Sequence, residues 1–273
     1  MNGSEWSPED FEAWSRIKTK PLPPPPPPAL VFDPLPDLTD LQRDALAREA
    51  QRVNERYLVE FVEEYGFCPF AKKGRRLGQI YRYVHFAETE SVATLVALMQ
   101  KIAADPAQVV VQVVLPMIDV APDAWRRFVS DLTDFANLPL ARDDRMGCAA
   151  LHPLMPYSDL NPFSMLTLFR RSPDATIQWV RLDAVRALYA GRSGGTQLMT
   201  LAEADEWLKR PPMTPLYDRI AITNARMARR LRLETIERLL AGYAADATDR
   251  YHRVLLNPAY DGVAGPDDAK EQR

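Results

Sequence analysis

The stretch Gln108-Val109-Val110-Val111-Gln112-Val113-Val114-Leu115-Pro116 decides the fold class. A nearly continuous β-branched run of this length, stopped by proline, is a strand with both faces covered rather than a half-wet edge. Working outward, the hydrophobic period alternates between helix and strand. Thr89 to Ala103 reads as helix before the run and Pro122 to Ala136 as helix after it, with Pro122 at the first helical position. Gln79 to Phe86, Gly147 to His152 and Thr176 to Leu182 alternate as strands. The resulting order, α, β, α, β, α, β, β, predicts an α+β or α/β domain with a mixed sheet of about four strands covered by helices.

Long helices flank this centre. Thr39-Asp40-Leu41-Gln42 is a capping box, and Leu38, Leu41, Ala45, Val53, Tyr57, Phe61 and Tyr65 recur at helical spacing until Gly66. After Gly194-Gly195, Thr200-Leu201-Ala202-Glu203 is a second capping box, and Pro215 opens an Arg-rich helical stretch reaching about Ala244. Near the start, Ser7 followed by Pro8, Glu9 and Asp10 opens a short helix carrying Trp6, Phe11, Trp14 and Ile17 at near three-residue spacing. The expected organisation is an appended helix over 1–20, a polyproline linker over 21–36, one α/β-type domain over 37–260 and a polar, disordered tail over 261–273.

The chain has 273 residues, long enough for a substantial core. Its 34 basic and 37 acidic side chains leave a net charge of −3, so no basic field draws nucleic acid to it. No apolar window reaches the roughly 18 to 20 residues of a membrane span, and the first 20 residues lack a signal pattern, so no membrane partner and a cytoplasmic location are expected. Two cysteines, Cys68 and Cys148, in no close pair fit free thiols in a reducing compartment.

Three stretches carry candidate chemistry. In Gly66-Phe67-Cys68-Pro69-Phe70-Ala71-Lys72-Lys73, a glycine stop followed by Cys-Pro places Cys68 at the start of a new helical turn. There the helix dipole and the nearby Lys72, Lys73, Arg75 and Arg76 favour the nucleophilic thiolate. A small buried hydrophobe between two phenylalanines is the other reading of Cys68. His152 ends an apolar strand just before Pro153, where a base, a ligand or a hydrogen-bonded turn residue all fit. Phe169-Arg170-Arg171-Ser172-Pro173, followed by Arg181 on the next strand, offers guanidinium groups for bidentate capture of a carboxylate or phosphate, or simply a solvated Arg pair before a turn. Cys68, His85, Cys148 and His152 are too scattered for a zinc framework, so no metal is assigned. No phosphate-binding glycine loop, dinucleotide fingerprint or nucleophile elbow occurs, so no cofactor is assigned either.

Cys68-Pro-Phe-Ala-Lys72 after a long helix, a strand ending at Pro116, Ala150-Leu-His152-Pro153 and Arg171-Ser-Pro173 with Arg181 following resemble, in this order, the bacterial family known as domain of unknown function 1415. The resemblance spans about Val53 to Leu240 and implies a shared fold and site, without a reaction. The chain departs from that pattern where Asp-Tyr would follow His-Pro (here Leu154 and Met155) and where Tyr-Pro would follow Arg-Ser-Pro (here Asp174 and Ala175). Gln178 and Leu182 stand where the pattern has His and Glu, so two carboxylates and an imidazole are missing.

Two functions are then in view. One is thiol-dependent chemistry on, or binding of, a small anionic metabolite, with Cys68 as thiolate, His152 as base, and Lys72, Arg171, Ser172 and Arg181 as the anion-binding set. The other is a non-catalytic scaffold that presents its N-terminal helix on the polyproline arm to a protein partner through residues 1–36.

Overall fold

A computed structural model describes residues 37–68, 70–88, 91–185 and 216–257. The N-terminal helix, the polyproline arm, the second capping box and the polar tail lie outside these residues.

Four strands, β1 (Ile80–Val84), β2 (Val110–Leu115), β3 (Met146–Leu151) and β4 (Ala175–Arg181), form one mixed sheet in the order β1-β2-β4-β3. β1 and β2 run parallel, and β4 runs antiparallel to both β2 and β3. The valine run is therefore an inner strand, as its composition demands. Val111, Val113 and Leu115 point to one face and Val114 to the other.

Helices cover both faces, giving an α+β layout. α3 (Ser91–Ala103) and α4 (Pro122–Ala136), the connections out of β1 and β2, pack together on one face. α4 presents Trp125, Phe128, Val129, Leu132 and Ala136 at helical spacing to the sheet. The two buried indoles are satisfied, Trp125 donating to the Leu151 carbonyl at 2.8 Å and Trp179 to the Thr133 hydroxyl at 2.9 Å.

The other face is covered by elements distant in sequence. α1 (Asp40–Arg56) starts at the capping box of Thr39 and Gln42 and continues into a π-helical segment, Tyr57–Glu63. A positive-φ turn at Gly66 (φ 67°) and the short α2 (Ala71–Arg76) follow. α5 (Pro162–Met165) leads to a 3₁₀ turn over Leu168–Arg170 ahead of β4.

The Arg-rich stretch near the C-terminus is two helices, not one: α6 (Leu216–Leu231) and α7 (Leu233–Leu256), broken at Arg232 with φ 67°. α7 reaches well beyond Ala244 and lies along α1. Arg250 pairs with the buried Glu49 at 3.2 Å, and Arg56 with Asp246 at 2.8 Å. A buried carboxylate tied to a guanidinium resists sliding, so these pairs set the position of α7 over the sheet.

β1, β2 and β3 all point the same way, so their carboxyl ends share one edge of the sheet with the start of β4. Leu115 pairs with Ala175, and Leu151 with Thr176. Loops meeting at the carboxyl edge of parallel strands are where open α/β sheets place their ligands.

Candidate functional site

The residues singled out in the sequence do not converge. Cys68 packs against the aromatic cluster of Tyr57, Phe61 and Phe67 on the α1/α7 face. α2 begins only at Ala71, capped by Phe70, so Cys68 lies ahead of the helix start. Backbone donors at Phe70 and Ala71 do reach the thiol, but burial outweighs them, and Glu63 opposes ionisation further. The thiol is pushed up, away from thiolate, because a buried charge loses its hydration. Lys72 is exposed and lines neither cleft described below.

His152 is 5% exposed and pinned by backbone. Its Nδ1 accepts the Leu154 N–H at 3.0 Å, and its other ring nitrogen faces the Val120 carbonyl. Burial pushes its pKa down, so the ring is held neutral as a turn lock. Val120 packs against the α3/α4 cluster, whereas Cys68 sits in the cluster on the opposite face, and no hydrogen bond or ion pair joins the two residues.

The two arginines lie at opposite ends of β4. Arg171 precedes it, donating to the Met155 carbonyl at 2.8 Å, stacking over Tyr157 and facing Glu237 of α7 at 3.6 Å. Arg181 closes it, with 6% of its side chain exposed, bonded to the Ala103 carbonyl at 2.8 Å and to Asp183 at 3.1 Å. β4 has seven residues, so about 20 Å of strand separates its ends. No shared anion clamp forms. Ser172 turns its hydroxyl onto the Asp174 backbone carbonyl. Among the described residues no three of His, Cys, Asp and Glu stand close enough to hold a metal ion.

A cleft at the carboxyl edge is lined by Asp174, which in the sequence stands out only as a departure from the pattern the chain resembles. Its side chain is 6% exposed. Tyr251 of α7 donates its phenol to Oδ2 at 2.6 Å, and the Met117 N–H reaches the same carboxyl. Met117 has φ 62°, a left-handed conformation that a non-glycine residue adopts at a cost of about 1 kcal/mol or more. The Asp174 backbone is fixed in turn by the hydroxyls of Ser172 and Thr176, both donating to its carbonyl. Burial pushes the carboxyl up to about 7, although the two hydrogen bonds pull it down, and among the described residues no ion pair offsets its charge. The Tyr251 phenol is raised by burial and by the facing carboxyl.

The surrounding cleft has a volume of about 420 Å³. Its walls are Leu115, Met117, Ile118, Pro153, Pro173 and Leu255, with Ala175 and Ala247 between them. Asp174, Thr248, Tyr251 and His252 supply the polar groups. An apolar cleft of this size with a few convergent polar groups and a strongly perturbed carboxyl has the character of a small-molecule site. Thr248, Tyr251, His252 and Leu255 fall at i, i+3, i+4 and i+7, so the helical period would have placed them on one face had the helix been read past Ala244.

A second, more open groove of about 390 Å³ lies between α1 and β1, lined by Arg48, Gln51, Arg52, Glu55 and Arg82. Arg82 is committed there to Asn54 at 2.7 Å and Glu55 at 2.6 Å. No family model, curated protein or solved structure matches this chain. Among the described residues no helix is long and apolar enough to cross a membrane.

Proposed function

We propose that this protein binds a small molecule in the cleft at the carboxyl edge of its sheet and carries out proton transfer there through Asp174. The observation that carries this reading is a carboxyl buried in a formed cleft, displaced to about 7 and held by Tyr251 and the strained Met117 backbone. A group that titrates near neutrality exists in both forms at working pH, which is the condition for efficient general acid–base catalysis. When ionised, Asp174 accepts a proton from a bound molecule. The Tyr251 phenol and the Met117 N–H stabilise the charge.

This reading replaces thiol chemistry at Cys68 and base catalysis at His152, whose surroundings favour neutral, packed side chains. The likeness to domain of unknown function 1415 stands as a second proposal, supported by the order of its motifs along the chain. Two free and widely separated cysteines fit a reducing, cytoplasmic setting.

The test is a site-specific titration of Asp174 by carbon-13 NMR, joined to a thermal-shift screen of metabolites on the wild type and Asp174→Asn. A midpoint near 7 and ligands that stabilise the wild type only are expected. A midpoint near the ordinary carboxylate value of about 4, or ligands acting on both proteins alike, would remove the proposal.

A further inference from the structure

The cleft pairs apolar walls with a carboxyl that has no counter-charge. Among the described residues no lysine or arginine lines it, and Asp174 forms no ion pair. The nearest guanidinium in sequence, Arg171, is turned away onto Met155, Tyr157 and Glu237.

The titratable groups on the surrounding elements do not change this. α7 contributes the neutral phenol of Tyr251 and the exposed ring of His252, while Glu49 and Asp246, which face Tyr251, are already paired with Arg250 and Arg56. On the loop after β2, Asp119 faces His152 rather than Asp174. An anion entering this space would meet a carboxyl and find no cation.

The carboxyl is also not saturated. A carboxylate offers about four lone-pair sites, and Asp174 receives donors from Tyr251 and Met117. Room remains for a further donor from a ligand. Both features name the same partner: a positively charged donor group on an apolar body.

Building on the cleft reading above, we infer that its ligand is a small organic cation, an amine whose ammonium bonds to Asp174 while its hydrocarbon part lies against Ile118, Pro153, Pro173 and Leu255. The ammonium supplies the counter-charge that the fold omits, and the charge-assisted bond is of the stronger kind. Apolar walls select against strongly hydrated polyamines and favour one charge per ligand. The small anionic ligand expected from Arg171 and Arg181 is excluded from this cleft on the same grounds.

Three matched probes, benzylamine, benzyl alcohol and benzoate, test the inference on the full chain by isothermal titration at about pH 8, where the carboxyl is ionised. Benzylamine is expected to bind at least about tenfold tighter than benzyl alcohol, with no heat from benzoate. In Asp174→Asn that preference collapses to near equality, while Asp131→Asn, which removes an exposed carboxylate of α4 outside the cleft, retains it; thermal melts establish that each variant is folded. If benzyl alcohol or benzoate binds as well as benzylamine in the wild type and perturbs the amide signals of Met117 and Thr248, the ligand class is wrong and the cleft reading survives. If none of the three perturbs those signals, the amine assignment falls, and the titration midpoint of Asp174 then decides separately whether the proton-transfer reading survives.

Discussion

The phenol of Tyr251 donates to Oδ2 of Asp174 at 2.6 Å, joining the last long helix to the loop before the last strand across 77 residues of sequence. This bond favours the charged carboxyl and so works against burial. Tyr251→Phe removes it without opening much space. The titration midpoint of Asp174 is expected to rise above 7, with a stability loss of about 1 to 2 kcal/mol in urea unfolding. An unchanged or lower midpoint by carbon-13 NMR would show that the phenol does not stabilise the ionised form.

Asp174 also gives stability an unusual pH dependence. Its folded value is raised from 3.8 to about 7, so between those limits the folded chain holds a proton that the unfolded chain has released. Stability therefore falls as pH rises through that window, the opposite of a salt-bridged aspartate. His85 and His152 are depressed and act in the other direction, costing stability as pH drops below about 6.5. Both histidines remain in Asp174→Asn, so the difference between the two proteins isolates the carboxyl. The variant is expected to gain a few kcal/mol relative to wild type between about pH 4 and pH 8; a constant difference in urea midpoints would contradict this.

Reactivity separates the two thiols. Burial raises the pKa of both thiols, but Cys68 is packed among aromatic side chains whereas Cys148 is the more exposed of the two, on β3. Iodoacetamide at neutral pH should label Cys148 first, with Cys68 at least about tenfold slower than a free thiol. Peptide mass spectrometry reads both rates in one sample, and preferential labelling of Cys68 would restore the thiolate reading.

Arg171 and Arg181 should respond unequally to truncation. Arg181→Ala strips a buried guanidinium from the carbonyl of Ala103 and from Asp183, and a loss of about 2 to 3 kcal/mol is expected. Arg171 is 23% exposed and faces a half-exposed Glu237, so Arg171→Ala should cost about 1 kcal/mol. Equal losses in chemical denaturation would mean that the two play the same structural part.

The elements were legible where local chemistry decides them. Pro122 and the apolar spacing after it bound α4 correctly, the Thr39–Gln42 box starts α1, and the valine run is the inner strand. The π-helical turn at Tyr57–Glu63 leaves the apolar spacing almost unchanged, so nothing in the sequence marks it. Arg232 breaks a helix without glycine or proline. The site was harder still, because it depends on register. Strand pairing sends Arg181 to the far edge from Arg171, and Asp174 gains its character only once α7 covers it. A residue whose partner lies so far along the chain carries no local signature.

The docking of α1 against α7 has a consequence for biosynthesis. Ala45, Leu46, Ala50 and Val53 share a buried cluster with Ala247, Tyr251 and Val254. During synthesis α1 must therefore wait, with its apolar stripe uncovered, until α7 has emerged. Truncated chains lacking α7 will present that stripe together with an open sheet face, and they are the natural targets of chaperone capture. Only a chain that already contains α7 can form the cleft, because Ala247, Thr248, Tyr251, His252 and Leu255 supply one of its walls.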